Sequence, residues 1–284
     1  MNTVAIFGVG LIGGSFALAL RQAGFQGSII GVSSPQTIER AVALRVIDAG
    51  TDAESAARQA DLIYLAQPIH EILNCLTRLD PWVRSDALVT DAGSTKASIT
   101  QQASRYLRRC QFLGGHPLAG KETTGVNSAE PELFRGRKYV VTPRSSAELS
   151  TPAAASFLTW LDKIGAVRLV LDAARHDQAV AFTSHLPQLA ATALAVALKS
   201  SQPNVEVFGP GLLDMTRLAM SPFSIWKDIL DTNSSEIQQA LGSYITVLEH
   251  FRDAVATGDM QREFDNAADL ACQLRGYKPF LGEK

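Results

Sequence analysis

Two histidines lie in sequence surroundings that suit proton transfer. His116 stands in the segment Gly114–Gly120, which reads GGHPLAG and comes at the end of a predicted strand. The glycines permit close approach of a ligand, and Pro117 fixes the path of the chain after the histidine. An imidazole with an ordinary pKa of about 6.5 can accept or donate a proton near neutral pH. We therefore predict that His116 is a catalytic residue, the alternative being a histidine of the surface or the core.

The second histidine, His185, lies inside the apolar stretch 179–198, close to Pro187. Burying an imidazole without a partner costs free energy, so His185 either has a structural partner or faces a site. The stretch is long enough to cross a membrane, but polar residues interrupt it and alanine dominates it, so we interpret it as the core helix of a larger assembly. His176 and Asp177 begin the same helix and are predicted as an N-terminal capping feature.

Two basic side chains are candidates for binding an anion. Arg217 lies in the mostly apolar segment Gly209–Trp226, where a buried guanidinium needs either a substrate carboxylate or an internal salt bridge, for instance to Asp214. Lys96 ends the segment Asp91–Lys96 (DAGSTK), which follows another predicted strand. Its ammonium group could serve a phosphate, a carboxylate or solvent alone.

A glycine-rich turn follows the first predicted strand and opens a helix. Gly8, Gly10 and Gly13 form a GxGxxG pattern in this context, with Leu11 and Ile12 at the helix start. The three glycines allow the tight turn, the approach of a pyrophosphate and close helix–strand packing, and the helix N-terminus favours negative charge. The pattern predicts a dinucleotide site; the alternative is a structural turn that binds nothing.

The end of the second strand bears on the choice of dinucleotide. NAD sites usually carry an acidic residue there, but this chain has Ser33 and Ser34, with Arg40 on the next helix. A carboxylate would repel the 2′-phosphate of NADP, whereas hydroxyl groups can bind it. The sequence therefore favours NADP and leaves NAD possible, the alternative being a neutral site that accepts either cofactor.

The elements that must position these residues alternate between strands and helices up to residue 172. The predicted strands are Thr3–Gly8, Ser28–Val32, Asp61–Ala66, Ala87–Asp91, Gln111–Gly114, Tyr139–Thr142 and Val167–Leu171. The predicted helices between them are Leu11–Gln22, Pro35–Leu44, Ile69–Leu79 and Lys96–Tyr106. This alternation is typical of a Rossmann-like, doubly wound, mostly parallel sheet.

After Asp172 the strand signals stop, and the chain reads as helices to about residue 271, with breaks near 200–204, 210–211, 221–222 and 258. We predict an α/β dinucleotide-binding domain over residues 1–172 and an all-α substrate and dimerisation domain over residues 173–284. The small apolar residues of the second domain suit close helix packing and a homodimer interface.

Composition excludes several classes of protein. The chain has 284 residues, 46% of them hydrophobic, and a net charge of −2, which argues against a disordered protein and a nucleic-acid binder. Three scattered cysteines (Cys75, Cys110 and Cys272) predict neither a disulfide framework nor a zinc site, and we expect no metal. The N-terminus has no targeting pattern, so we expect a cytoplasmic protein that does not associate with membranes.

Several motifs together resemble the prephenate/arogenate dehydrogenase family of tyrosine biosynthesis. They are GVGLIGGS at 8–15, DAGSTK at 91–96, GGHPLAG at 114–120, HDQAVAFTSHLP at 176–187 and TRLA…W at 216–226. The resemblance covers nearly the whole chain and implies a Rossmann-like domain, a helical dimerisation domain and an active site in the cleft between them. It implies NAD(P)-dependent oxidative decarboxylation of prephenate or arogenate, giving 4-hydroxyphenylpyruvate or tyrosine. Because the sequence ends at Lys284, we expect neither a chorismate mutase domain nor a C-terminal regulatory domain.

The resemblance also implies roles for individual residues. His116 matches the family's catalytic base, and Ser94 matches the serine that hydrogen-bonds the reacting hydroxyl. The substrate-binding positions are His185, Arg217 and Trp226. Arg217 matches the anchor of the substrate carboxylate, and Trp226 matches an aromatic wall, the alternative being a tryptophan of the core. The cofactor positions are Gly8, Gly10, Leu11, Ile12, Gly13, Ser33, Ser34 and Pro68. Two positions near the expected ligand depart from the family pattern: Lys121, within Gly120–Glu122, and Gln67, which precedes Pro68.

Two other hypotheses have different signatures. An imine, pyrroline-carboxylate or β-hydroxyacid reductase with a helical second half would depend on a lysine there, for which Lys199 and Lys227 are the candidates. A nucleotide-sensing regulatory protein would bind the dinucleotide without turnover. Neither lysine stands in a site-like motif, and the nucleotide-sensing hypothesis leaves His116, His185 and Arg217 without a common role.

Overall fold

A single sheet of eight strands organises most of the chain. The computed structural model describes residues 1–201 and 206–276. The strands are β1 (Thr3–Phe7), β2 (Ser28–Val32), β3 (Ala49–Gly50), β4 (Leu62–Leu65), β5 (Leu88–Asp91), β6 (Gln111–Pro117), β7 (Lys138–Thr142) and β8 (Val167–Val170). Their order is β3-β2-β1-β4-β5-β6-β7-β8. All neighbours are parallel except β6 and β7, which run antiparallel.

Helices connect the strands of this sheet. They are α1 (Leu11–Gln22), α2 (Pro35–Ala43), α3 (Ala53–Gln59), α4 (Ile69–Leu79), α5 (Ala97–Tyr106) and α6 (Pro152–Lys163). Strands β1, β4 and β5 are buried almost entirely, as expected for a parallel sheet covered on both faces by helices. The predicted mostly parallel α/β sheet is confirmed.

The rest of the described chain is helical, as predicted. It comprises α7 (Ala173–Val180), a π-helical turn (Ala181–His185), α8 (Leu186–Ser201), α9 (Pro210–Thr216), a 3₁₀ turn (Arg217–Met220), α10 (Phe223–Thr232), α11 (Ser234–Ala254) and α12 (Gln261–Arg275). The predicted break over 200–204 lies largely outside the described residues.

The chain divides into two compact units, Met1–Ile237 and Gln238–Lys284. The predicted functional boundary between residues 172 and 173 stays a prediction.

Three elements were missing from the prediction: β3, α3 and α6. Helix α3 begins after Asp52, whose side chain accepts the N–H of Ser55, and α6 begins after Thr151, with Pro152 in its first turn. Acceptor side chains at the N-cap and proline in the first turn are ordinary start signals for helices. These two helices could therefore have been predicted, whereas β3 has only two residues and leaves little pattern to detect.

Strand β6 is longer than predicted, which changes the setting of His116. Residues Gln111–Leu113 pair with β5, and the strand then continues to Pro117 in antiparallel pairing with β7, where His116 lies opposite Val140. A β-carbon at residue 114 would collide with the Thr142 hydroxyl, and one at residue 115 would lie 2.6 Å from the main-chain oxygen of Asp91. The expectation that these glycines make room for a ligand is therefore wrong, because they make room for neighbouring strands.

The continuous helical run Ala173–Ser201 is long and apolar enough to cross a membrane by length and composition. Within this single chain, 28% of its most apolar window is buried. Our interpretation of this run as the core helix of a larger assembly stays a prediction.

Candidate active site

The glycine turn has the shape that a dinucleotide pyrophosphate requires. Gly8 has φ +91°, and a β-carbon there would lie 2.7 Å from the main-chain oxygen of Ala66, while a β-carbon on Gly13 would collide with the oxygen of Gly8. A β-carbon on Gly10 would instead meet open space. Helix α1 starts at this open point without a side-chain cap among the described residues. The turn therefore leaves backbone N–H groups facing a space that suits a phosphate.

A cleft of about 510 Å³ opens beside this turn. Five of the eight predicted cofactor residues line it: Gly8, Gly10, Ser33, Ser34 and Pro68. Leu11, Ile12 and Gly13 belong to the first turn of α1 and do not line the cleft. Gln67, which the sequence placed near the ligand, also lines it, and the prediction missed Val9, Val32, Thr37, Ala66, Glu71 and Gly125 on its walls. The residues of this cleft fit a nicotinamide dinucleotide.

The order of the strands places His116 near this cleft. The carboxyl ends of β1, β4, β5 and β6 lie side by side, and adjacent strands are about 4.8 Å apart, so β6 is about 14 Å from β1. The Gly115 N–H donates to Asp91 at the end of β5, at 3.1 Å. His116 therefore stands on the same sheet edge as the dinucleotide cleft, within the length of a dinucleotide.

His116 is half-buried and contacts a second histidine. Its Nδ1 lies 2.8 Å from Nε2 of His176, and the two rings meet edge to face with centroids 5.1 Å apart. Burial lowers the pKa of His116 well below its usual range, and the nearby His176 and Lys96 contribute to the same direction. The imidazole is accordingly neutral at physiological pH, the form that can accept a proton.

Lys96 is enclosed in the protein and pairs with an acidic side chain. Its fully buried ammonium group pairs with the fully buried carboxylate of Asp91. Burial lowers the pKa of Lys96, and the neighbouring Asp91 opposes that effect. Asp91 also accepts the N–H of Gly93 at 2.8 Å. The ion pair therefore anchors the loop that carries half-buried Ser94.

The prediction that His176 and Asp177 cap their own helix is wrong. The N-cap of α7 is Asp172, whose side chain accepts the N–H of Arg175. Both His176 and Asp177 are buried, and the Asp177 carboxylate accepts the N–H groups of Lys96 and Ala97, at 2.6 and 2.8 Å. Asp177 thus closes the start of α5, a different helix.

His185 ends the π-helical turn and is buried beside the same cluster. Its Nδ1 lies 3.3 Å from the Asn233 amide nitrogen, and its ring meets Trp226 edge to face at 6.0 Å. Burial lowers the pKa of His185 to about 4, so it too is neutral. Pro187 has no N–H to donate, which accounts for the local departure from α-helical bonding.

A second cavity, of about 400 Å³, follows the histidine segment. It is lined by Gly120, Lys121, Glu122, Gln188, Arg217, Leu218, Met220, Ser221, Pro222, Ile225 and Trp226. The prediction of a buried Arg217 is wrong, since 57% of its side chain is exposed, and it pairs with Glu122 at 3.3 Å. Its guanidinium faces a cavity in which a carboxylate could replace Glu122. Trp226 donates its indole N–H to Ser221 at 2.9 Å and forms part of the wall.

Sequence reasoning missed the supporting residues of this cavity and of the histidine cluster. Gln188 donates to the main-chain oxygen of Leu218 at 2.9 Å and so holds the turn that carries Arg217. Asn233 donates to the main-chain oxygen of Asp177 at 2.9 Å. Both amides are buried, that of Gln188 within α8 and that of Asn233 in the turn between α10 and α11. Neither has a sequence signal that separates it from a surface amide.

The remaining candidates lie elsewhere. Lys199 and Lys227, the lysines of the reductase hypothesis, are exposed and line neither cavity. Within residues 1–201 and 206–276, no group of three or more His, Cys, Asp and Glu side chains could hold a metal ion.

Comparison with known proteins decides the family. The family model for the prephenate dehydrogenase nucleotide-binding domain matches residues 16–170, and the model for the prephenate dehydrogenase dimerization domain matches residues 172–267. The chain belongs to the prephenate dehydrogenase family. It is 31% identical to a prephenate dehydrogenase of Bacillus subtilis over 271 residues, which are 93% of this chain and 72% of that protein.

Solved structures agree with this family membership. The crystal structure of prephenate dehydrogenase from A. aeolicus in complex with hydroxyphenyl propionate and NAD+ matches with a TM-score of 0.87 and 29% identity, covering 97% of this chain and 98% of that one. The structure of Synechocystis arogenate dehydrogenase matches with a TM-score of 0.77 and 30% identity, covering 96% and 98%. The resemblance inferred from the motifs is confirmed, and the chain is an oxidoreductase.

Proposed function

We propose that this protein catalyses the NAD(P)-dependent oxidative decarboxylation of prephenate, arogenate or both, forming 4-hydroxyphenylpyruvate or tyrosine. The observation that carries the proposal is the neutral imidazole of His116, which lies on the sheet edge of the dinucleotide cleft and four residues before Gly120 of the second cavity. Family membership supports the same reaction.

The reaction needs one proton acceptor and one carboxylate anchor from the protein. A nicotinamide dinucleotide, which Gly8, Gly10, Ser33 and Ser34 would hold, would supply the acceptor for the hydride that leaves C4 of the cyclohexadiene ring. Nε2 of His116 accepts the proton of the 4-hydroxyl group, so that a carbonyl forms at C4. The bond between the ring and its carboxylate then breaks, carbon dioxide leaves, and its electron pair passes through the ring to the carbonyl oxygen. His116 returns the proton to that oxygen, which completes the phenol.

The other side chains position the substrate. We assign Ser94 to a hydrogen bond with the reacting hydroxyl, because the Asp91–Lys96 ion pair anchors its loop beside His116. His185 and Trp226 are assigned to the ring or its side chain, since Trp226 lines the second cavity and the buried ring of His185 meets it edge to face.

An assay of four combinations tests the function. The purified protein is given prephenate or arogenate, each with NAD or NADP, and the absorbance of reduced nicotinamide and the release of carbon dioxide are followed together. We expect both signals in equal amounts with at least one substrate. Reduced nicotinamide without carbon dioxide would contradict the proposal, and so would dinucleotide binding without turnover.

Arg217→Ala is expected to raise KM for the organic substrate by about tenfold to a hundredfold, with a smaller change in kcat. This rise in KM corresponds to a loss of about 1.5–3 kcal/mol of binding free energy, the contribution of one charge-assisted hydrogen bond. Arg217→Lys should recover only part of it, because an ammonium group lacks the planar fork. Arg175→Ala removes another exposed arginine of the helical part and is the control. An unchanged KM in Arg217→Ala would assign Arg217 to its salt bridge alone.

We further propose a preference for NADP. The cleft presents the hydroxyls of Ser33, Ser34 and Thr37 where an NAD site usually has a carboxylate. Arg40, which the sequence offered as an additional partner, donates to Asn127 at 2.7 Å, so the hydroxyls carry this proposal.

Ser33→Asp should raise KM for NADP by about tenfold or more and change KM for NAD little, because a carboxylate repels the 2′-phosphate. Initial rates at varied cofactor concentration measure both constants. Ser146→Asp adds the same charge at an exposed position that does not line the cleft, and serves as the control. A lower KM for NAD than for NADP in the wild-type protein would overturn the preference.

We also propose that the protein is a cytoplasmic homodimer that joins its copies through the helical residues. The family model for residues 172–267 is that of a dimerization domain. Large apolar side chains on these helices are exposed in the single chain: Val196, Leu213, Met215, Phe223 and Leu248. Exposed apolar side chains of this kind are what an interface between two copies would bury. The free thiols of Cys75, Cys110 and Cys272 suit a reducing compartment.

A further inference from the structure

His176 and Asp177 form a buried polar chain with His116 that the proposed reaction does not yet use. Nδ1 of His116 lies 2.8 Å from Nε2 of His176, and Nδ1 of His176 lies 2.7 Å from Oδ1 of Asp177. The His176 side chain has no exposed surface. Nδ1 of His116 and both ring nitrogens of His176 therefore have one defined neighbour each, and the direction of each hydrogen bond can be worked out from the Asp177 end of the chain.

The far end is an acceptor held in place by backbone groups. The Asp177 carboxylate receives the N–H of Lys96 on Oδ1 at 2.6 Å and the N–H of Ala97 on Oδ2 at 2.8 Å. An ionised carboxylate can only accept hydrogen bonds, and the two backbone donors here bond to both of its oxygens. Its third neighbour, Nδ1 of His176, must therefore be the donor in the bond between them.

The remaining directions follow from the chemistry of a neutral imidazole. A neutral ring carries one N–H and one lone pair, so His176 with Nδ1–H has its lone pair on Nε2. That lone pair accepts a hydrogen bond, and Nδ1 of His116 must supply it as N–H. The lone pair of His116 is then on Nε2, the nitrogen left free to accept a proton from a substrate.

We propose that His176 and Asp177 are positioning residues that hold His116 in the Nδ1–H tautomer and leave its Nε2 as the base. The catalytic consequence rests on the proposed function, whereas the tautomer does not. An imidazole without such a partner can place its proton on either nitrogen, and in the Nε2–H form it cannot accept the hydroxyl proton through that atom.

Charged neighbours around the chain are few and already paired. The Asp91–Lys96 ion pair lies on one side, at the end of β5, and His185 approaches from the π-helical turn. Burial, His176, Lys96 and His185 lower the pKa of His116, and burial lowers that of His185. A neutral His116, which the hydrogen-bond directions assume, is therefore the form to be observed near neutral pH.

Two substitutions at residue 176 separate the proposed role from general packing. The amide of an asparagine reaches about as far as Nδ1 of histidine and can still bond Asp177, whereas the amide of a glutamine reaches about as far as Nε2 and can accept from His116. His176→Asn should therefore lower kcat by about a hundredfold, within the total expected of a general base, and leave KM for the organic substrate nearly unchanged. His176→Gln should restore much of kcat.

The tautomer itself can be read by NMR of protein with ¹⁵N-labelled histidine. The chain has five histidines, and the signals of His116 are those that disappear in His116→Asn. We expect Nδ1 of His116 to be protonated and Nε2 to be unprotonated in the wild-type protein. In His176→Asn we expect a mixture or the reverse arrangement, and in His176→Gln the wild-type arrangement.

The outcomes distinguish this inference from the function on which its catalytic part rests. Nε2–H on His116 in the wild-type protein would overturn the inference even if the protein oxidises prephenate. The Nδ1–H form without turnover of either substrate would overturn the proposed function and keep the assignment of the hydrogen bonds. Equal losses of kcat and of thermal stability in both variants would reduce His176 to a packing residue. Should His176→Asn not fold, the wild-type and His176→Gln spectra still decide the tautomer.

Discussion

His116→Asn is expected to lower kcat by about a thousandfold, the middle of the range for a general base, while dinucleotide binding stays unchanged. Asparagine keeps a polar side chain of similar size but cannot take up a proton at neutral pH. The dinucleotide cleft is built on β1, β2 and β4 and does not include His116, so its affinity has no reason to fall. Steady-state kinetics and a fluorescence titration with the reduced cofactor measure the two quantities.

The pH profile provides a second test of the same residue. His116 must be neutral to act as a base, and burial lowers its pKa well below the ordinary value, so activity should persist as pH falls and be lost only when the imidazole becomes protonated. The acid limb of kcat/KM is therefore expected below about pH 6.5, the midpoint for an ordinary histidine.

His250→Asn is the matched control, because that histidine is largely exposed and lies in the second compact unit. It should leave kcat and the acid limb unchanged. Activity of His116→Asn within a few-fold of wild type would remove His116 from the role of base. If the acid limb of kcat/KM is unaltered in His116→Asn, the group that titrates is not His116.

Lys96→Met is expected to destabilise the protein by about 3–5 kcal/mol, the usual cost of removing one partner from a buried ion pair. Neither Lys96 nor Asp91 has exposed side-chain surface, so the remaining carboxylate would be buried without its cation. The N–H groups of Gly93 and Gly115 would still reach that carboxylate, but they supply no net charge. Urea unfolding followed by circular dichroism measures the change in the free energy of unfolding.

A double variant and a surface pair make this result specific. Asp91→Asn combined with Lys96→Met removes both charges, and it should lose less stability than the two single changes added together. Arg58→Met breaks the exposed pair with Glu54, which is separated by 2.7 Å, and should have little measurable effect. If Lys96→Met lost no more stability than Arg58→Met, burial would not increase the free-energy cost of breaking this ion pair.

Local patterns were sufficient for seven of the eight strands and for the dinucleotide turn. Helix α1 and strand β2 have the predicted bounds, because a glycine turn and a run of β-branched residues act over a few neighbouring positions. The position of His116 on the same sheet edge also followed from the sequence, since carboxyl ends of parallel strands meet at one edge. The extension of β6 did not, because it depends on pairing with β7, which lies more than twenty residues later.

Tertiary contacts decided the partners of the charged residues. Arg217 pairs with Glu122 rather than with the nearby Asp214, and Lys96 pairs with Asp91 inside the protein instead of reaching a ligand. A charged side chain is compatible with solvent, a ligand or an ion pair, and the desolvation that selects among them is known only once neighbouring elements pack around it.

The sequence by itself determined the family, the fold class and the identity of the histidine proposed as the base, because each is written in motifs of a few adjacent residues. Only the tertiary structure joined His116 to His176 and Asp177 and made Asp177 the cap of α5. These contacts link β6, α7 and α5 across 60 or more positions of the chain. Hydrogen bonds between side chains of distant elements depend on how those elements pack, and the periodicity of the sequence does not predict that packing.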